Sequence, residues 1–147
     1  MIFITLLFLS NQKNPEALEK LKENFSIEEI ENVEQYKIKN YEGLIIAGGE
    51  DITSVESQKL KELIFSAFKH KKPVIAMDCG AVVLANQGFL VGKCATVNER
   101  FGDYIHKKGA IVFDDSLLVD KNLITTSLKE PNQQLLQVIR KLLTLAH

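Results

Sequence analysis

Three short polar turns, each following an apolar run, gather the side chains of this sequence that could do chemistry: Ser10-Asn11-Gln12, Gly48-Gly49-Glu50-Asp51 and Asp78-Cys79-Gly80. The third is the most informative. Val74 to Met77 reads as a buried strand and Ala81 to Asn86 as a helix of small residues. A polar pair and a glycine between them have the layout of a nucleophile elbow, a sharp strand-to-helix turn that lifts one side chain above a sheet. The field and free N–H groups of a helix start favour negative charge there, so a cysteine would be activated as thiolate and a carboxylate kept ionised. Gly48 and Gly49 add a second element, because glycine reaches dihedrals that let backbone N–H groups approach a ligand or an oxyanion closely. Gln12, Glu50 and Gly80 complete the candidate binding residues of these turns.

Each of these residues also has a plainer reading. Asp78 can cap the helix that follows it. Cys79 can pack as a small hydrophobe. A Gly-Gly pair is a common turn marker, Glu50 and Asp51 can help start the next helix, and Asn98 can decorate a loop. Cys94 reads as core. His70, His106 and His147 lack the spacing of a metal site, and no metal or other cofactor is expected.

Stepping from turns to elements, near-continuous apolar runs cover Ile2 to Leu9, Leu44 to Ala47, Val74 to Met77, Ala110 to Phe113 with Leu117 to Val119, and Leu123 to Thr125. Uninterrupted runs are what a parallel sheet covered on both faces requires. Helical stripes lie between them: Asn14-Pro15 opens one, Thr53 and Glu56 have capping-box spacing before Leu60 to Phe68, and a last helix begins near Pro131. The segment from Ser26 to Lys39 suits a short helix or an edge strand, and a strand within it is favoured. The order predicts an α/β, flavodoxin-like three-layer sandwich with a mainly parallel central sheet and a hairpin-like stretch over Ala110 to Val119. Ligands in such sheets bind at the carboxyl ends of the strands, where the three polar turns fall.

The sequence has 147 residues, 46% hydrophobic, which suits one domain over 1–147 with a sizeable core. Eighteen Lys and Arg against nineteen Asp and Glu leave a net charge of -1, so no basic surplus points to nucleic acid. Two cysteines in an ordinary composition fit thiols of a reducing compartment. The apolar start lacks a cationic flank and a cleavage site, and is too short to span a bilayer. A cytoplasmic protein without a membrane partner is expected.

Tyr41-Glu42-Gly43-Leu44-Ile45-Ile46-Ala47-Gly48-Gly49, then Lys72-Pro73-Val74-Ile75-Ala76-Met77-Asp78-Cys79-Gly80 with Leu84 to Lys93, and finally Leu118 to Thr126, resemble successive landmarks of the ThiJ/PfpI family in the class I glutamine amidotransferase-like superfamily. The resemblance implies a flavodoxin-like fold and a homodimer. It also implies a small-molecule ligand or an activity among cysteine-dependent hydrolases, glyoxalase- or deglycase-like enzymes, chaperones and stress-response proteins. The family elbow reads alanine, apolar, cysteine, any residue, glycine. Aligned on Gly80, the nucleophile position falls on Asp78, and Cys79 takes the variable position after it. Gln12 lies nearest the family's glutamate, Val97-Asn98 stand where relatives often carry histidine or tyrosine, and Thr126-Ser127-Leu128-Lys129 replace a serine-arginine-glycine-proline stretch. The resemblance thus implies a binding or stress-response module with an altered site. An active enzyme using Cys79 or Asp78 is the alternative. A flavin carrier, suggested by fold alone, lacks the serine- and threonine-rich phosphate cradle in its first turn.

Overall fold

The structure, a computed structural model, describes residues 5–9, 15–30, 36–48 and 58–145. Its central sheet has the strand order β2-β1-β3-β4-β8-β7. These are β1 (Thr5–Leu9), β2 (Ser26–Glu29), β3 (Gly43–Gly48), β4 (Val74–Asp78), β7 (Leu117–Asp120) and β8 (Leu123–Thr126). All neighbours pair in parallel except β7 with β8. The helices are α1 (Pro15–Asn24), α2 (Gln58–Lys69), α3 (Gly80–Asn86), α4 (Gly102–Lys107) and α5 (Gln133–Leu145). A separate two-stranded sheet joins β5 (Cys94–Ala95) to β6 (Ile111–Val112).

The apolar runs are uninterrupted because both faces of the sheet are covered. Successive strand residues alternate between two cores. Leu7, Leu44, Ile46, Val74 and Ala76 pack with Leu60, Ile64 and Leu84 of α2 and α3. Leu6, Phe8, Ile45, Ala47, Ile75 and Met77 pack with Leu21, Leu135 and Ile139 of α1 and α5. A fully buried aliphatic side chain contributes roughly 1.5–3 kcal/mol of transfer free energy, so this two-sided burial is what holds the carboxyl ends of β3 and β4 in place. Among the described residues no helix is long and apolar enough to cross a membrane.

The strand favoured within Ser26 to Lys39 is β2 on the sheet edge, and a 3-10 turn follows at Ile38–Asn40. One expectation needs correction, and one element was missed. The hairpin does not run over Ala110 to Val119: β6 pairs in parallel with β5, and the hairpin is β7 with β8. It closes at Lys121-Asn122, where Lys121 takes φ 57° and Asn122 is tied to the sheet through its backbone oxygen, 2.9 Å from the Val74 N–H, and its Nδ2, 2.7 Å from the Lys72 oxygen. The final helix begins near Pro131 as expected, and the Asn132 side chain accepts the Leu135 N–H at 2.9 Å and so caps it. The missed element is α4, which stands between β5 and β6. Asn14, Thr53 and Glu56 lie outside the described residues.

Candidate functional site

Strands β3 and β4 are neighbours in the middle of the sheet, in a register that sets Gly48 beside Asp78 at their carboxyl ends. Asp78 has φ 57°, in the left-handed region that aspartate visits more readily than most side chains. Cys79 returns to φ -94°, and α3 begins at Gly80. The turn is tight for two reasons. The Cys79 N–H donates to the Gly48 oxygen at 3.1 Å. Gly80 passes so close to β3 that a Cβ there would lie 2.2 Å from the Ile46 backbone oxygen, which only glycine avoids.

The expected helix cap is a correction: Cys79, not Asp78, occupies the cap position of α3, with no side-chain cap hydrogen bond. The Asp78 carboxylate is used elsewhere. Its Oδ1 accepts from Asn98 Nδ2 at 2.9 Å and from the Cys79 thiol at 3.7 Å. With only 5% of Asp78 exposed, these donors offset the cost of burying a charge.

Asn98 is therefore no mere loop decoration. Its backbone N–H donates to the Asp78 oxygen at 3.0 Å, and its side-chain oxygen accepts the Arg100 N–H at 3.2 Å. Both ends of the amide are occupied, which fixes its orientation. The segment carrying it is pinned one step earlier, where the Thr96 N–H donates to Thr125 Oγ1 at 2.9 Å. Thr125 belongs to β8, the other neighbour of β4, so three strand ends jointly position the Asp78–Asn98 pair.

Cys79 is 2% exposed, and its thiol pKa is pushed up from 9.0 to about 12. Burial is the largest cause, followed by the negative charge of Asp78 and the hydrogen bond to it; Lys129 acts in the opposite direction. Such a thiol stays protonated at neutral pH and serves as a donor to the carboxylate. This is the reverse of the activation expected for a cysteine at a helix start. Lys129, exposed on the loop after β8, is a charge near the site that sequence reasoning had only as part of a replaced stretch.

Gly48 and Gly80 thus shape the turn, while Gln12, Gly49 and Glu50 lie outside the described residues. Cys94 is half-buried rather than core, and its N–H donates to Asp120 Oδ2 at 2.9 Å, tying β5 to β7. His70 and His106 are exposed. Among the described residues, no group of three or more His, Cys, Asp or Glu could hold a metal ion.

The sequence profile of the DJ-1/PfpI family matches residues 13–142. This chain belongs to the DJ-1/PfpI family. One relative, an uncharacterized protein of Methanocaldococcus jannaschii, is 38% identical over 92 residues, covering 58% of this chain and 44% of that protein. The chain thus spans less than half the length of this curated relative. A ThiJ/PfpI domain protein from Brachyspira murdochii superposes with a TM-score of 0.84 over 95% of this chain and 96% of that one, at 13% identity. DJ-1beta of Drosophila melanogaster gives a TM-score of 0.74 over 99% of this chain and 89% of that one, at 15% identity. Identities this low establish the DJ-1/PfpI family's flavodoxin-like fold and leave the chemistry to the residues of this site.

Proposed function

We propose that this DJ-1/PfpI chain is a binding or stress-response module without thiol catalysis, in which Asp78 stands where relatives carry their nucleophilic cysteine. The observation that carries the reading is the positive φ of Asp78, since the residue in that conformation is the one an elbow presents above the sheet. The buried thiol of Cys79, held protonated, supports it from the other side. Incubation of the purified protein with methylglyoxal, glutamine and a panel of esters should give no turnover. Turnover abolished by Cys79→Ser would overturn the reading.

One observation favours a second reading, in which Asp78 is itself a nucleophile. Both donors fall on Oδ1, and among the described residues no donor engages Oδ2. A carboxylate held in one orientation through a single oxygen is preorganised for attack on an electrophilic carbon. Turnover that survives Cys79→Ser and is lost on Asp78→Asn would select this reading over the first.

A further inference from the structure

Strand β6 is the outer strand of its two-stranded sheet, and among the described residues no strand pairs with its far edge. The Ile111 and Phe113 N–H groups donate to the Lys93 and Ala95 oxygens at 2.8 and 3.0 Å, so the ladder to β5 runs one residue past β6. Val112, between them, turns its own N–H and C=O the other way, toward the open edge. Ile111 and Phe113 lie on one face of this strand and are 50% and 42% exposed. Val91, 67% exposed, adjoins its start, 3.2 Å from where a Cβ on Gly109 would stand. An open edge flanked by bare apolar side chains is a template for another strand. The charges decide which strand. Lys107 and Lys108 precede β6 and Asp114 and Asp115 follow it, all four exposed and none in an ion pair among the described residues. A run that is basic at one end and acidic at the other complements itself when antiparallel and repels itself when parallel.

We infer that the β6 edge is a self-association surface, on which a second copy of this chain adds its own β6 antiparallel. A two-fold axis at Val112 lets the two Val112 residues exchange both N–H···O bonds. It also sets Ile111 of each copy opposite Phe113 of the other, in the closer, non-hydrogen-bonded kind of pair, and covers both. The same axis lays Asp114-Asp115 of each copy toward Lys107-Lys108 of the other. A uniformly basic or uniformly acidic strand from another protein would meet like charge at one end. Because β6 is short, the contact belongs with the weak interfaces below roughly 1,200 Å². The inference is independent of the role given to Asp78, since the edge stands whether or not the elbow is catalytic.

Sedimentation equilibrium of the whole chain from about 10 μM to about 1 mM, with amide chemical shifts followed over the same range, tests it. Reversible dimerisation is expected, with concentration-dependent shifts centred on Val91 and Ala110 to Asp115. The variant Asp114→Lys with Asp115→Lys, and separately Lys107→Glu with Lys108→Glu, should each weaken the dimer about tenfold, because each sets like charges against one another across the two-fold axis. Equal parts of the two variants should recover the parental association, since every end then faces its opposite. A variant that had merely lost its fold would give no such recovery. A chain that stays monomeric up to about 1 mM, a dimer indifferent to both reversals, or a mixture that associates no more tightly than its components would overturn the inference.

Discussion

Alkylation of Cys79 should be slow at neutral pH, and its pH profile should separate a structural thiol from a catalytic one. Only the thiolate attacks iodoacetamide, so the rate follows the ionised fraction. Raising the pKa from 9.0 to about 12 lowers that fraction about a thousandfold at any pH well below 9. Steric burial slows the reaction further, but equally at every pH, so the profile rather than the absolute rate discriminates. Burial is the largest cause of the shift and the Asp78 charge the second, so Asp78→Asn should remove part of it and leave the rest. Each unit recovered is a tenfold gain in thiolate, and a gain of about that size is expected in the variant. The assay is intact-mass detection of the adduct in a Cys94→Ser background, from about pH 6 to about pH 10, with a urea-unfolded sample as the free-thiol reference. The native rate should still be climbing at the top of that range. A plateau at or below the ordinary thiol value of about 8.5, or an Asp78→Asn variant slower than its parent, would refute the reasoning, because either outcome means the site stabilises the thiolate.

Gly80→Ala should destabilise the fold beyond the roughly 1–3 kcal/mol of ordinary overpacking, because the added Cβ meets backbone at 2.2 Å rather than a side chain that can turn away. The urea midpoint should fall by more than about 1 M, and a change below about 0.5 kcal/mol would contradict the close approach of α3 to β3. Asn98→Ala should cost about 1–3 kcal/mol by leaving a buried carboxylate with one donor fewer. Asn98→Asp sets two carboxylates against each other and raises their pKa in the folded state. Its deficit in urea midpoint relative to the parent should therefore grow as pH rises above about 4 and shrink on acidification.

The sheet could be read from the sequence because its evidence is local. Leu44 to Ala47 and Val74 to Met77 are apolar at every position, and that pattern has one common cause, burial on both faces. The peripheral elements had no such signature. Strand β6 is two residues long, and α4 buries Ile105 alone, so neither carries enough periods to be distinguished from loop. The hairpin was displaced for the same reason: hydropathy marks a strand but not its partner, and the partner of Ile111 is Cys94, while that of Leu117 is Thr126.

At the site, a sharp strand-to-helix turn at Asp78-Cys79-Gly80 could be read from the sequence, but the electrostatics could not. Asn98 reaches Asp78 across 20 residues of chain, through an anchor between Thr96 and Thr125 that no motif announces. Its one local trace is the Asx turn to Arg100, visible as an asparagine opening the polar run Asn98-Glu99-Arg100. The thiol is the sharper case. Reasoning from a helix start predicts a lowered pKa, since the helix end carries about half an elementary positive charge. The preceding residue sets its carboxylate within hydrogen-bonding distance of the sulfur, and both residues are buried. Burial penalises the thiolate most, and the adjacent carboxylate adds to it, so together they outweigh half a charge spread over a first turn. A buried thiol with a carboxylate beside it therefore stays protonated at neutral pH, whatever the helix start contributes.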